Sequence, residues 1–217
     1  MITTVLQRLG WSVEHERRLP GRAPEFYSVD DLPLRPETRR LLSHYRQGIY
    51  CHQRLALEAL LEGQDLCVAT GTASGKSLVF YTAGIERLAA DPGARILAIY
   101  PLKALAREQE ARWKRELQAA GLDVQVGRID GGVNPQKRER ILSSSRVVLM
   151  TPDTIHAWLL SSLSSSKVKR FLASLRLVIV DEVHVYTGVF GSNAAYLFRR
   201  LQYAASALAG SDRLQFV

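Results

Sequence analysis

Cysteine is scarce in these 217 residues: Cys51 and Cys67 are too few for a disulfide scaffold or a four-ligand zinc site. Each reads as a small buried hydrophobe. No apolar run reaches the ~18 residues of a membrane-crossing helix, because Asp, Glu, Lys or Arg breaks every strong one. The stretch from Met1 to Glu16 lacks the apolar core and small-residue cleavage site of a secretory signal. These absences point to a cytoplasmic protein with no membrane partner. With 15 Gly, 8 Pro, 47% hydrophobic and 23% charged residues, the chain is not disordered, collagenous or coiled-coil. Acidic residues are the minority, 21 against 29 basic ones, for a formal charge of +8. That balance suits a polyanionic partner, of which nucleic acid is the commonest. Only six of the 29 basic residues are lysine. Arginine suits bidentate phosphate contacts, although a GC-rich genome gives the same bias.

From about Asp65 onward, short runs rich in Val, Ile and Leu alternate with longer segments of helical period. This is the βαβ pattern of a parallel sheet with helices on both faces. It predicts strands over Asp65–Ala69, Arg95–Tyr100, Val124–Ile129, Arg146–Met150 and Leu175–Val180. It predicts helices over Lys76–Ala90, Leu102–Ala120, Pro135–Leu142, Asp153–Leu160 and Ser192–Ala209, with breakers such as Asp91-Pro92-Gly93 and Gly121 between them. Ahead of this unit, residues 1–30 read as an arm and residues 31–63 as a helical lead-in, with helices over Pro36–Gln47 and His52–Leu61. The tract Ser161–Ser166 reads as a solvated loop. Leu214-Gln215-Phe216-Val217 has the composition of a strand just beginning. The chain is therefore expected to be the N-terminal piece of a longer protein.

Thr70-Gly71-Thr72-Ala73-Ser74-Gly75-Lys76-Ser77 stands directly between a predicted strand and a predicted helix, where a phosphate loop belongs. Backbone N–H groups of Thr72, Ala73, Ser74 and Gly75, with the positive end of the helix, can cradle phosphates. Lys76 can reach the β- and γ-phosphates of ATP, and the Ser77 hydroxyl can ligate Mg2+. The first glycine of the usual G-x-x-x-x-G-K-S/T pattern is Thr70 here. Leu177-Val178-Ile179-Val180 is an apolar run that ends in Asp181-Glu182. Acids at the C-terminal end of a parallel strand face the ligand crevice. Asp181 is expected to hold Mg2+ through its water shell, and Glu182 to orient or deprotonate an attacking water. Upstream, the Gln53 carboxamide can pair with the adenine N6 amino group and N7, which favours ATP over GTP. Tyr27 or Tyr50 can stack on the base, or each can be a core tyrosine.

Asp181-Glu182-Val183-His184 resembles the DExH box of superfamily 2 helicases, and Thr70 to Ser77 resembles their motif I. Tyr50-Cys51-His52-Gln53 is similar to the Q motif, Tyr100-Pro101-Leu102-Lys103-Ala104-Leu105-Ala106 to motif Ia, Asp130-Gly131-Gly132 to a glycine motif and Thr151-Pro152-Asp153 to motif Ib. The stretch from Val185 to Asn193, with Phe198-Arg199-Arg200-Leu201, is similar to the mitomycin-repair-factor and fungal Hrq-type helicases. Their usual His is Asn193 here, and their Asp-Gly-Asp motif is Asp130-Gly131-Gly132. The resemblance implies an α/β, RecA-like P-loop NTPase domain with a parallel sheet covered on both faces. It implies that Pro101, Lys103, Gly131, Gly132, Thr151 and Pro152 line a single-stranded nucleic-acid track, and that His184 couples this track to the nucleotide. Strand-end loops suit that task, since N–H groups, hydroxyls and a cation position a strand without reading its sequence.

The implied function is the first, ATP-binding motor domain of a DNA helicase acting in DNA repair, moving 3′ to 5′ with Mg2+ and ATP as cofactors. Its second RecA-like domain, with the arginine fingers, is a partner missing from this sequence. An arginine supplied in trans is worth roughly 10³–10⁵ in rate in comparable NTPases. The isolated chain is therefore expected to bind ATP weakly and hydrolyse it barely. An RNA helicase domain, a nucleotide-dependent module that never translocates, and a small-molecule kinase on the same loop stay open.

Overall fold

The computed structural model describes residues 2–12, 14–15, 24–71, 74–210 and 214–217. Helix α1 (Ile2–Arg8) precedes a two-stranded antiparallel ribbon of β1 (Phe26–Tyr27) and β2 (Ile49–Tyr50), with α2 (Pro36–Leu42) between them. Next come α3 (Cys51–Leu61), α4 (Lys76–Ala90), β3 (Arg95–Ile99), α5 (Lys103–Ala120) and β4 (Val126–Ile129). Then come α6 (Pro135–Ser144), β5 (Val147–Met150), α7 (Pro152–Thr154), α8 (Ser166–Ala173), β6 (Leu175–Val180), α9 (Gly188–Ala209) and β7 (Gln215–Phe216). One sheet holds five strands in the order β4-β5-β3-β6-β7, each neighbouring pair parallel. The expected α/β architecture is thus present. Among the described residues no helix is long and apolar enough to cross a membrane.

Side chains alternate across the sheet with period two. Ile96 and Ala98 of β3, with Val147 and Leu149 of β5, pack in the cluster that holds α4 and α5. Leu97, Ile99, Val148 and Met150 pack on the other face against α6, α8 and α9. Burial on both faces is why these strands are unbroken apolar runs. Between α4 and α5, Gly84 lets Trp113 come close: a Cβ there would lie 2.6 Å from the indole. Trp113 Nε1 donates to the Tyr100 hydroxyl at 3.3 Å, and the Tyr81 hydroxyl donates to Gln109 Oε1 at 2.5 Å. The buried polar atoms of this knot are therefore paired, as burial demands.

At the amino edge of the sheet, Arg146 donates to the Leu88 carbonyl in the last turn of α4 and to the carbonyls of Asp91 and Ala94 just beyond it. Arg95 does the same for Leu142, Ser143 and Ser145 at the end of α6. Each guanidinium satisfies carbonyls that a helix end leaves without partners. The segment before α2 is tied to α3 by Arg54, which forks onto both Asp31 oxygens and also reaches Glu58. That fork holds the Asp31 carboxyl down at about 2.

Several expectations need correction. Residues 65–69 are extended but not a regular strand. Among the described residues their only strand neighbour is β7, which is two residues long, so Leu66 N–H donates to the Phe216 carbonyl while Phe216 N–H goes to the Asp65 side chain. Cys51 and Cys67 are exposed rather than buried. Gln53, Ala56, Leu57 and Leu60 take the core stripe of α3 and turn Cys51 outward, and Cys67 alternates with the half-buried Leu66 and Val68. The helix predicted to Gln47 ends at Leu42. The helix predicted over 153–160 starts as α7 and widens into a π-helical turn, Ile155–Leu159. Helix α8, unforeseen, begins at Ser166, the last serine of the tract read as a loop, and buries Val168, Phe171 and Leu172.

Candidate functional site

Strand register assembles the site. Ile129 pairs with Met150, Met150 with Ile99, and Ile99 with Val180. The next residues, Asp130, Thr151, Tyr100 and Asp181, therefore leave the sheet in one row at its carboxyl edge. That edge is where open α/β sheets bind ligands. The extended segment beside β7 delivers the Lys76 loop alongside the same row.

Within the loop, Lys76 Nζ donates to the carbonyls of Thr70 and Gly71, each at 2.8 Å. The Thr70 and Ser74 hydroxyls share a hydrogen bond of 2.7 Å. Gly75 opens α4 at φ +78, and a Cβ there would lie 2.5 Å from Gln53 Nε2. Only glycine meets both conditions. Gln53 is 4% exposed. Its Oε1 accepts the Tyr50 N–H at 2.9 Å, and its Nε2 donates to the Gly75 carbonyl at 2.8 Å. His52 Nε2 donates to the Ser74 carbonyl at 3.0 Å. Two consecutive residues of α3 thus hold two consecutive loop carbonyls. Among the described residues, one Gln53 amide proton and one Oε1 lone pair have no hydrogen-bond partner. Thr72 and Ala73 lie outside the described residues.

Lys76, Ser77, Asp181 and Glu182 line one cleft of about 1390 Å³. Burial pushes the Asp181 carboxyl above its usual range, while the Glu182 N–H and the Lys76 charge pull it back. The Glu182 N–H donates to Asp181 Oδ1 at 2.9 Å. Glu182 itself stands at φ +54, the left-handed region that L residues seldom adopt. Its carboxylate lies 3.0 Å from His184 Nδ1 on the exposed side of the box. Among the described residues no group of three or more His, Cys, Asp or Glu could hold a metal alone. A cation here would draw ligands from phosphate and water as well as from Ser77 and Asp181, and that oxygen-rich donor set fits Mg2+.

Phe26 and Tyr50 line the mouth of the cleft, stacked with centroids 5.2 Å apart, and Tyr50 stacks on His52 at 5.8 Å. Phe26 escapes sequence reading because only the β1–β2 register, Phe26 opposite Tyr50, brings it to the site. Tyr186, stacked on Phe190, has a buried hydroxyl without a hydrogen-bond partner among the described residues. Burial, with a smaller push from Asp181, raises that phenol to about 12.

The residues expected on a nucleic-acid face separate into two groups. Lys103, Gly131 and Gly132 are exposed and adjacent: a Cβ on Gly131 would lie 3.5 Å from Lys103 Nζ. Pro101 is half-buried beside them. Thr151 and Pro152 lie under the surface, with Thr151 5% exposed and its hydroxyl bonded to that of Thr154 at 3.0 Å. Sequence reasoning also missed Arg138, whose side chain donates to the Gly131 and Val133 carbonyls. Nothing in its spacing marks it among the Arg and Lys residues of α6.

A family model described as DEAD/DEAH box helicase matches residues 50–213. The chain is 33% identical over 211 residues to "ATP-dependent helicase HRQ1" of Saccharomyces cerevisiae, covering 94% of this chain and 19% of that protein. The crystal structure of DUF1998 helicase MrfA bound to DNA and AMPPNP superposes with a TM-score of 0.86 at 26% identity, over 99% of this chain and 30% of that one. Helicase Lhr of Mycobacterium smegmatis, bound to ssDNA and AMP-PNP, gives a TM-score of 0.71 at 28% identity, over 84% of this chain and 24% of that one. The chain thus spans under a third of each of these proteins.

Proposed function

The chain belongs to the DEAD/DEAH box helicase family, and on that footing we propose that it is the ATP-binding first motor domain of an ATP-dependent DNA helicase. In this reading, residues 64–217 carry the RecA-like domain, residues 31–63 the lead-in with Gln53, and residues 1–30 an arm. A second RecA-like domain of the same protein closes over the site, and the protein works in the cytoplasm in DNA repair. The observation that carries the reading is the row of strand ends with the Lys76 loop beside it. The DNA and AMPPNP held by the MrfA structure support it.

Gly75, Ser74 and the loop N–H groups cradle the phosphates, and Lys76 exchanges its two carbonyl contacts for phosphate oxygens. Ser77 and Asp181 hold Mg2+, whose chemistry when bound is neutralisation of charge on the β- and γ-phosphates. Glu182 orients the attacking water, and His184 relays its position to the DNA side. The remaining valences of Gln53 read the adenine edge, and the Phe26–Tyr50 stack faces its ring. Lys103, Gly131 and Gly132, with Pro101, contact the sugar-phosphate backbone, and Thr151 and Pro152 support them from beneath.

Titration with a fluorescent ATP analogue tests the reading. Lys76→Ala is expected to weaken binding at least ~10-fold, the scale of one lost charge-assisted contact, with the melting temperature kept. Equal affinity in a folded variant refutes it. In the longer protein, turnover stimulated by single-stranded DNA supports a DNA motor. Stimulation by RNA alone gives an RNA helicase, and stimulation by neither gives a non-translocating module.

A further inference from the structure

The Gly131-Gly132 turn is fixed from the inside. Val133 N–H donates to the Asp130 carbonyl at 3.0 Å, and Gly132 N–H to Asp130 Oδ1 at 2.9 Å. Arg138, on α6, donates Nε to the Val133 carbonyl at 2.7 Å and Nη2 to the Gly131 carbonyl at 3.3 Å. The same guanidinium lies over the Trp158 ring, its Cζ 5.5 Å from the centroid. Trp158 belongs to the π-helical turn that comes after Thr151-Pro152. One planar cation thus ties together α6, the turn after β4 and the helix after β5.

The consequence is electrostatic. The carbonyls of Asp130, Gly131 and Val133 are all engaged by protein donors, and the Asp130 carboxylate is held by Arg128 and the Gly132 N–H. Oxygens turned outward here would oppose an anionic strand beside Lys103. We propose that Arg138 is a positioning residue of the nucleic-acid face, holding the Gly131 and Val133 carbonyls away from the strand and locking that turn to Trp158 without touching phosphate itself. The inference rests on the reading of this face as a nucleic-acid track.

The test uses the 217-residue chain, a labelled oligothymidylate and salt varied over ~50–200 mM. A Trp11→Phe background leaves acrylamide able to reach Trp158 but not Trp113, which is 0% exposed. Arg138→Gln is expected to weaken binding ~10-fold at each salt concentration, as for one lost charge-assisted hydrogen bond. The slope of log affinity against log salt is expected to stay unchanged, and quenching of Trp158 to rise. Arg138→Lys keeps the charge but not the fork or the plane, and is expected to recover little. It serves the same test if Arg138→Gln does not fold.

Unchanged affinity in Arg138→Gln overturns the inference. So does a slope shallower by about one that Arg138→Lys restores, because that marks a direct phosphate contact. Wild-type chain that binds no oligonucleotide refutes the track reading and the inference together, whereas wild-type binding with an unaffected Arg138 variant refutes the inference alone.

Discussion

Gln53→Glu changes one NH2 group to oxygen and leaves the shape of the side chain intact. In the wild type, Nε2 donates to the Gly75 carbonyl at 2.8 Å from a residue 4% exposed. The substitution sets two acceptors against each other in a buried place and strips a carbonyl of its donor, at a cost of about 2 kcal/mol. For a chain of this size each kcal/mol moves the melting temperature by roughly 2–4 °C, so a fall of ~4–8 °C is expected at pH 8. The introduced carboxyl escapes the penalty by taking up a proton, because its O–H then donates to Gly75. A 2 kcal/mol penalty corresponds to a pKa raised from about 4.3 to about 6. A group with a raised folded-state value destabilises fully above that value, and the loss fades as pH falls toward the unfolded value. Thermal melts of wild type and variant at pH 8 and pH 5 check this: the gap is expected to shrink to less than about half. A gap under ~1 °C at pH 8, or one equal at both pH values, refutes the role given to this bond.

Glu182→Gly removes the Cβ from a left-handed position, at φ +54, where an L residue costs about 1 kcal/mol. The variant is expected to melt a few degrees above Glu182→Ala while the longer protein loses hydrolysis, and equal melting temperatures refute the strain. Gly84→Ala places a Cβ 2.6 Å from Trp113 and 3.0 Å from Ile96 Cδ1. Overpacking of this kind costs about 1–3 kcal/mol, so a lowered melting temperature with little change in nucleotide affinity is expected. An unaltered melt would mean that α4 and α5 separate at no cost.

The central strands were legible because burial on both faces removes the need for polar alternation. Arg95–Ile99, Val147–Met150 and Leu175–Val180 match their predicted runs to within a residue. The parts that the sequence hid depend on partners far along the chain. Residues 65–69 have strand composition, yet a ladder needs a neighbour of matching length, and β7 supplies two residues. Helix α8 begins at the last residue of a serine tract and carries Lys167, Lys169 and Arg170, so its buried stripe of Val168, Phe171 and Leu172 stands out only once α9 and the sheet are in place. Gln215 is read locally as a strand residue. In the fold it is buried, accepting from Arg87 and donating to the carbonyls of Leu60 and Gln64.

The site was legible for a related reason, and unevenly. Residue type and position after an apolar run single out Lys76, Ser77, Asp181 and Glu182 as candidates, and the fold brings all four to one cleft at the carboxyl edge of the sheet. Position after a strand does not say whether a side chain faces out or down. Lys103 and Thr151 both come after strands that end in the same row, yet Lys103 is exposed while the Thr151 hydroxyl turns back onto Thr154. The difference lies in the length of chain between each strand and its next helix. Tyr100 is buried and its hydroxyl accepts from Trp113, so the chain must climb through Pro101 and Leu102 before α5 begins at Lys103. After Met150 the helix begins at once with Pro152, which draws Thr151 into the first turn as its N-cap. The face offered to a ligand is thus set by how many residues separate strand end from helix start, and that distance is fixed by packing beneath the row.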